Sequence, residues 1–291
     1  EIDSIFVGAI VYAKGARMLV MARALVGDDA LRAGLKQYFI NHKYGNAKGD
    51  DLWNALADAS GMQVGDIMHS WLEQPGYPVV TAAVVDGQVT LSQQQFFIGE
   101  GEEVGRQWQI PLNSNYEAAP AIMKDQAVTI GDYAKLRDAS GQPFRLNVGN
   151  NSHFIVKYDQ TLLDDILAHV DDLTAIDQLQ LLQDLRLLAE GRQISYAAVV
   201  PLLSRFAASH STVVNLRKFV TPDSDEEKHL QTLFDQLSAA QVKRLGWLPQ
   251  AGESNDDQLT RPYVLSAALY AKSSAAVLAA HELFEGNRDK L

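Results

Sequence analysis

The sequence changes its hydrophobic period at the segment Gln74-Pro75-Gly76-Tyr77-Pro78. Two prolines and a glycine in this segment cannot continue an α-helix, because proline lacks an amide donor and its ring clashes with the preceding turn. Before the segment, apolar residues recur at helical spacing, as at Val64, Ile67, Met68 and Trp71. After it, short stretches alternate between apolar and polar residues. The segment therefore predicts a boundary between a helical region and a β region.

The region before this boundary predicts a series of helices. Residues 12–25 are apolar on most sides and predict a buried helix. Asp50 and Asp51 precede an apolar stretch and predict the N-cap of another helix. A further apolar face at helical spacing comprises Leu31, Leu35, Tyr38 and Phe39. Because these helices form a thin domain alone, we expect their apolar faces to need a partner surface that this chain does not contain.

Residues 79–158 predict a small β-sandwich. Residues 79–85 and 89–96 are strand-like, and Asp86-Gly87 between them is the pair preferred in tight hairpin turns. Four shorter segments also alternate, at residues 108–112, 128–130, 144–146 and 154–156. Short strands separated by turn signals favour two packed sheets.

From about residue 161 the helical period returns. One predicted apolar stripe comprises Ile176, Leu179, Leu182, Leu185 and Leu188, and Gly191 ends that helix. Breaks at Thr221-Pro222-Asp223, Leu248-Pro249 and Gly252 separate further helices, an order that favours a helical solenoid. The predicted fold is multidomain α + β: helices over residues 1–78, a β-sandwich over 79–158, and helices over 159–291.

The composition argues against several classes of partner. The formal net charge is −11 and lysine and arginine form no cluster, so we expect neither nucleic acid nor an anionic membrane surface as a partner. The sequence has no cysteine, which excludes disulfides and thiolate zinc sites and fits a reducing compartment. It shows no membrane-spanning apolar run and no signal peptide. These features predict a cytoplasmic protein.

The histidines of the sequence do not predict a metal site. They lie far apart, at His42, His69, His153, His169, His210, His229 and His281. A helical H-E-x-x-H zinc site needs two imidazoles four positions apart, so that both reach one metal. His281-Glu282 begins such a motif, but Glu285 stands where the second histidine belongs, and a solvated helix end is the favoured interpretation. No metal-binding or cofactor-binding residue is therefore predicted.

Two other segments suggest ligands but have simpler interpretations. Residues 99–105 resemble a glycine-rich phosphate loop, yet their acidic side chains repel phosphate and favour a hairpin loop. Residues 223–227 suggest calcium, but an acidic first turn at the positive end of a helix is favoured. The chemistry of the residues alone thus names no complete active site.

A resemblance to a known family begins at Tyr12-Ala13-Lys14-Gly15-Ala16, which is similar to the tyrosine-x-lysine-glycine-alanine segment of the aminopeptidase N family. Later segments resemble that family in the same order, among them Tyr44-Gly45-Asn46-Ala47, Asp51-Leu52-Trp53, Met68-His69-Ser70-Trp71, Trp108-Gln109-Ile110-Pro111-Leu112 and Leu245-Gly246-Trp247. Each segment is a weak signal, but their order and spacing together are specific.

The resemblance implies part of a zinc metallo-aminopeptidase. Residues 1–78 resemble the last helices of a thermolysin-like catalytic domain, 79–158 its β-sandwich domain, and 159–291 part of its C-terminal helical domain. The family's G-x-M-E-N loop and H-E-x-x-H zinc helix precede the tyrosine segment and are absent from this sequence. The resemblance therefore implies a missing upstream catalytic domain, with zinc as cofactor and peptides as substrates of the full-length enzyme, and a fragment that is inactive alone.

Tyr12 is the one candidate catalytic residue. In the family, the matching tyrosine donates a hydrogen bond to the peptide carbonyl oxygen as attack by a zinc-bound water turns it into an oxyanion. The structural alternative is a buried tyrosine that packs the start of a helix, with its hydroxyl bonded to a neighbour.

A second function stays open at this point, a non-catalytic interaction module whose β-sandwich and helical array bind a partner protein on a concave face. The two functions differ in what they expect of residues 1–78. A part of an enzyme leaves an apolar surface where the rest of the catalytic domain packs, whereas a dedicated adaptor has a polar, finished surface there.

Overall fold

The computed structural model describes residues 8–195, 198–199 and 221–287. The fold is mixed α/β and mainly helical, and the chain divides into two compact units, Glu1–Ile194 and Ser195–Leu291. The three-part division at residues 78 and 158 stays a prediction. Helices predicted within residues 196–197 and 200–220 lie outside the described residues.

The first unit begins with helices. A π-helical segment, Ala9–Lys14, leads directly into α1 (Gly15–Val26), and α2 (Asp28–His42), α3 (Gly49–Ser60) and α4 (Val64–Leu72) follow. Gly27, with φ of 81°, makes the sharp turn between α1 and α2. The N-cap of α3 is Lys48 rather than Asp50, and its amide donates to the Asp51 carboxylate at 2.7 Å. Asp51 therefore holds the start of α3 from inside its first turn.

The helices differ in how far they are covered. In α4 the predicted stripe is confirmed, because Val64, Ile67, Met68 and Trp71 are all buried. In α2 the predicted apolar face is only partly covered, because Leu31, Leu35 and Tyr38 are half-buried and Phe39 is exposed; the buried residue is Gly34. The expectation of a buried helix over residues 12–25 is wrong for this chain: in α1 only Met18, Met21 and Ala22 are buried.

The β region contains a mixed four-stranded sheet of β1 (Pro78–Val85), β2 (Gln88–Gln95), β5 (Ala127–Asp132) and β6 (Ile155–Tyr158), in the order β5-β2-β1-β6. A separate antiparallel pair joins β3 (Ile110–Pro111) to β4 (Ile122–Met123). The hairpin of β1 and β2 turns at Asp86 and Gly87, both with positive φ, as the Asp-Gly pair predicts. β6 runs parallel to β1.

Other strand predictions need correction. Residues 144–146 do not form a strand, although Phe144 and Leu146 are buried. Two of their amides donate to side chains instead of to a neighbouring strand, since the Tyr158 hydroxyl accepts from the Leu146 amide and the Asn115 side chain accepts from the Arg145 amide. Of residues 108–112 only Ile110–Pro111 is strand, and the short helix α5 (Tyr133–Ser140) was not predicted.

One core joins the first helices to the β region. A single buried cluster contains Met18 and Trp71 from the helices together with Leu91, Trp108 and Phe144. The indoles of Trp71 and Trp108 lie 6.4 Å apart, and the Trp71 Nε1 donates to the Gln109 carbonyl at 2.9 Å. Residues on both sides of the break at residues 74–78 therefore share one hydrophobic interior.

The first unit ends with α6 (Gln160–Ala168), a 3₁₀ turn (Val170–Asp172) and α7 (Ala175–Glu190). Asp159 and Thr174 cap α6 and α7 as side-chain acceptors. The predicted stripe of α7 is wrong in part, because Ile176 is exposed while Asp177, Gln180 and Asp184 are buried. Residues three apart drift around a helix by about 60° per step, so the predicted stripe does not follow one face.

The second unit contains three described helices, α8 (Asp225–Leu245), α9 (Asn255–Tyr270) and α10 (Ser274–Asn287). Ser224 caps α8 and accepts from the Glu227 amide, so the acidic segment lies in a helical first turn. Phe234 and Tyr270 pack with ring centroids 4.9 Å apart. A helical solenoid stays a prediction.

Within the described ranges, no single helix combines the length and apolar content needed to cross a membrane. One pair, Asp257–Tyr270 with Ser274–Gly286, passes that test only when taken together, and it is bent by 117°.

Candidate active-site region

The candidate catalytic residue, Tyr12, lies in the π-helical segment Ala9–Lys14. Its side chain is 68% exposed, and within residues 8–195, 198–199 and 221–287 its hydroxyl has no hydrogen-bond partner. The Gly15 amide donates to the carbonyls of both Ile10 and Tyr12, which joins the segment to α1. Single π-helical turns of this kind occur frequently at functional sites. Among the described residues Tyr12 is neither buried nor bonded to a neighbour, as the structural alternative would require.

The apolar residues around Tyr12 are also uncovered. Ile10 and Val11 precede it in the segment, and Leu19 and Val20 follow on α1; all four are exposed. A contiguous exposed apolar surface marks a place where another surface packs.

Two cations follow Tyr12 at the start of α1. Burial lowers the pKa of Lys14 and that of Arg17 from their ordinary values. The Arg17 guanidinium donates to the Asn150 carbonyl at 2.8 Å, to the Asn150 side-chain oxygen at 3.0 Å and to the Ser152 carbonyl at 2.8 Å. Arg17 thus connects the helix that carries Tyr12 to the loop of residues 147–153.

His153 lies beside these cations and stays neutral near pH 7. Burial, followed by the charges of Arg17 and Lys14, lowers the pKa of His153 to about 4. Its ring packs against Tyr77, with centroids 4.9 Å apart, and against Trp71, at 6.2 Å. His153 is a packed neutral imidazole here, and sequence spacing gave no sign of it.

A cleft of about 320 Å³ opens next to Arg17 and His153. Its far wall is α7, which contributes Gln180, Gln183 and Asp184. Burial raises the pKa of Asp184 to about 8, although the hydrogen bond that its carboxylate accepts from the Val156 amide at 3.1 Å lowers the pKa. The predicted stripe on α7 contained only apolar residues, so nothing in the sequence pattern indicated that Asp184 is buried.

A second buried carboxylate on α7, Asp177, is ionised and holds the loop of residues 147–153. It accepts from the Gly149 amide at 2.8 Å and pairs with Arg145 at 3.1 Å. Burial alone raises the pKa of Asp177, but the bonds from Gly149, Thr174 and Arg145 outweigh it and leave the pKa below its ordinary value.

Comparison with known proteins decides the family. A family model described as the ERAP1-like C-terminal domain matches residues 144–291, and one described as the peptidase family M1 domain matches residues 1–71. The chain is 60% identical to an aminopeptidase N of Lactobacillus helveticus over 301 aligned positions, which cover 100% of this chain and 36% of that protein. This chain belongs to the aminopeptidase N family.

Other relatives give the same result at greater distance. The chain is 44% identical to an aminopeptidase N of Lactococcus lactis subsp. lactis (strain IL1403), with 100% of this chain and 36% of the relative aligned. It is 31% identical to an aminopeptidase M1 of Arabidopsis thaliana, with 92% of this chain and 33% of the relative aligned. The chain therefore spans about a third of the length of the curated relatives it matches.

The described residues do not fit the zinc site that aminopeptidase N family membership implies. Nowhere in the described part of the chain do three His, Cys, Asp or Glu side chains group closely enough to hold a metal ion. His69 pairs with Asp50 at 2.9 Å, and His169 caps the C-terminal end of α6 beside Asp165. These histidines support helix contacts, and no step of the chemistry is assigned to a metal held by them.

Proposed function

We propose that this chain is the portion of a zinc aminopeptidase that contributes Tyr12 as the residue stabilising the oxyanion, in an enzyme that removes N-terminal residues from peptides. The observation that carries the proposal is the exposed Tyr12 side chain, whose hydroxyl has no hydrogen-bond partner among the described residues, in a π-helical turn of the region matched by the peptidase family M1 domain.

The chemistry asked of Tyr12 is hydrogen-bond donation. When a peptide carbonyl is attacked, its oxygen gains negative charge, and a phenol hydroxyl aimed at that oxygen donates most strongly once the charge has formed. Such a donor lowers the barrier more than it tightens substrate binding. A hydroxyl already bonded to a neighbour is less suited to this role, because the neighbour competes for its proton.

The uncovered apolar surface of the first helices supports an enzyme over an adaptor. Ile10 and Val11 in the π-helical segment and Phe39 and Ile40 on α2 are exposed. We propose that the remainder of a thermolysin-like catalytic domain covers them in the longer protein, and that residues 1–78 complete that domain. In the same proposal, residues 79–158 form a β-sandwich domain and 159–291 part of a solenoid-like helical domain.

Zinc and the peptide-binding groups belong, in this proposal, to the part of the enzyme outside this chain. We therefore expect the chain alone to be inactive. A cytoplasmic location is part of the same proposal and rests on the cysteine-free composition, which suits a reducing compartment.

The proposal is tested with Tyr12→Phe in a protein of the full length of the relatives. This change removes one hydroxyl and keeps the ring, and loss of one oxyanion donor lowers kcat by about 10²-fold to 10³-fold. Because the bond forms mainly in the transition state, kcat and kcat/KM fall together while KM and zinc content stay nearly constant.

Tyr38→Phe is the matched control, since Tyr38 is a half-buried tyrosine on α2, and we expect its kcat within a few-fold of the parent. Normal turnover by Tyr12→Phe, combined with easier unfolding, would show that Tyr12 only packs.

A further inference from the structure

The loop of residues 147–153 has a tightly determined conformation. Asn147, Gly149 and Asn150 all have positive φ, a backbone state that asparagine and glycine tolerate better than other residues. The Asn147 side chain accepts from the Ser152 amide at 2.8 Å and donates to the Ser152 carbonyl at 3.0 Å. Both residues are almost fully buried, so the loop is held by its own internal bonds.

The loop is also fixed at two external points. The Ser152 hydroxyl donates to the Pro111 carbonyl on β3 at 2.8 Å, and the Asn147 amide donates to the Leu112 carbonyl at 2.8 Å. On the other side, the Gly149 amide donates to Asp177 of α7 at 2.8 Å. The carbonyl acceptors that face α1 are therefore held in place independently of Arg17.

Arg17 is the polar attachment of α1 to this loop. Its guanidinium makes three hydrogen bonds to two residues of the loop, and a planar fork with several bonds fixes both distance and orientation. All three acceptors are neutral oxygens. Arg17 takes part in none of the ion pairs of the described chain, so its contacts are directional and not merely electrostatic.

The remaining support of α1 is mainly apolar packing, which is less directional than hydrogen bonding. Met18, Met21 and Ala22 are buried against the core and Leu25 and Val26 are half-buried against it, and the methionine side chains adapt to small shifts. Residues 10–12, before Arg17, are exposed. A small rotation or slide of α1 therefore carries the Tyr12 hydroxyl with it.

We propose that Arg17 is a positioning residue for Tyr12: its three bonds to the 147–153 loop fix the rotation and axial position of α1, and so place the Tyr12 hydroxyl. The inference rests on the proposed function of Tyr12. It links a loop inside the region matched by the ERAP1-like C-terminal domain model to Tyr12 through one side chain, and Asp177 supports the loop from α7.

The test is a double-mutant cycle in the full-length protein with Arg17→Met and Tyr12→Phe. Arg17→Met keeps a long apolar stem and removes all three bonds. We expect it to lower kcat about 10-fold to 10²-fold, as displacement of a catalytic group by a fraction of an ångström to 1 Å does, with KM and zinc content nearly unchanged. In the Tyr12→Phe background, Arg17→Met has no hydroxyl left to misplace, so its effect shrinks to within about twofold.

Two further variants keep the test decisive. Arg17→Lys retains the charge but not the planar fork, so we expect a smaller fall in kcat than with Arg17→Met. Arg23→Met is the matched control, because Arg23 also lies on α1 and pairs with Asp28 at 2.6 Å, but away from the loop; its kcat should match the parent.

The outcomes separate the two proposals. Suppose that Tyr12→Phe lowers kcat. If Arg17→Met then leaves kcat unchanged, or lowers it by the same factor in the parent and in the Tyr12→Phe variant, the positioning role of Arg17 is wrong and the function of Tyr12 stands. If Arg17→Met lowers only the melting temperature, Arg17 is structural. If Tyr12→Phe leaves kcat unchanged, both proposals fail.

Discussion

Helices α2 and α4 both carry an apolar stripe, but the structure treats the two stripes differently. The nine-residue α4 buries Val64, Ile67, Met68 and Trp71, whereas the fifteen-residue α2 buries only Gly34 and exposes Phe39. The difference shows that a stripe specifies a surface that needs covering but not what covers it. The core with the β region covers α4, and we propose that the rest of the catalytic domain covers α2.

The largest expected effect tests the covered side of this comparison. Trp71→Ala empties a fully buried site between α4 and the β region and removes the bond to the Gln109 carbonyl. We expect the free energy of unfolding of this chain to fall by about 3–5 kcal/mol, measured by urea denaturation. Phe39→Ala on α2 is the control, at 65% exposure, and should change it by less than about 0.5 kcal/mol. Equal losses of stability in the two variants would show that α4 and α2 are covered to the same extent.

The next effect concerns the way α2 is attached. A methyl group at Gly34 would lie 2.8 Å from Leu56 Cδ2 and 2.9 Å from the Ala55 carbonyl oxygen, and the backbone oxygen cannot easily move. Gly34→Ala should therefore lower the free energy of unfolding by about 1–3 kcal/mol.

Gly65→Ala on α4 is the matched control, since its nearest neighbour, Trp53 Cβ, is an ordinary 3.9 Å away. Gly65→Ala should leave the free energy of unfolding unchanged or raise it by up to about 1 kcal/mol. If Gly34→Ala left the free energy of unfolding unchanged, α2 and α3 would not be closely packed.

A smaller, pH-dependent effect is expected on the buried face of α7. The folded-state pKa of Asp184, raised to about 8 by burial, lies above its ordinary value of about 4 in an unfolded chain. The folded chain then binds the extra proton, so the stability contribution is greatest below about pH 4 and is lost as the pH rises through about 8.

Asp184→Asn removes this titration. We expect the variant to gain roughly 1 kcal/mol relative to the parent between pH 5 and pH 8. The limit for one proton is about 1.4 kcal/mol per pH unit, or about 4 kcal/mol over these three units, and the effect is smaller because water enters around an ionised buried carboxylate. Urea midpoints at the two pH values give the result, and a difference that stays constant with pH would contradict it.

The smallest effect tests the uncovered side. Phe39→Gln should change the free energy of unfolding of this chain by less than about 0.5 kcal/mol and reduce its binding of an apolar dye. In the full-length protein the same change should be destabilising, because the side chain would then be covered. Equal tolerance in both proteins would show that nothing packs on this face of α2.

The hairpin and the α4 stripe were predictable because their signals are local. Asp86-Gly87 sets a turn from its own backbone preference, and the spacing of Val64 to Trp71 matches one helix face. Residues 144–146 were mispredicted because side chains of Asn115 and Tyr158, distant in sequence, accept from two of their amides in place of a neighbouring strand. For the candidate site, family resemblance named Tyr12, but no spacing rule pointed to Arg17, His153 or Asp184.

The sequence by itself determined where helices give way to strands, because proline and glycine act through the backbone of their own neighbours. Together with family resemblance it also singled out Tyr12. Only the tertiary structure decided which apolar faces are covered, and that Arg17 meets Asn150 and Ser152, 133 and 135 positions away in sequence. Burial and long-range hydrogen bonds depend on what the folded chain brings together, and no local pattern records that.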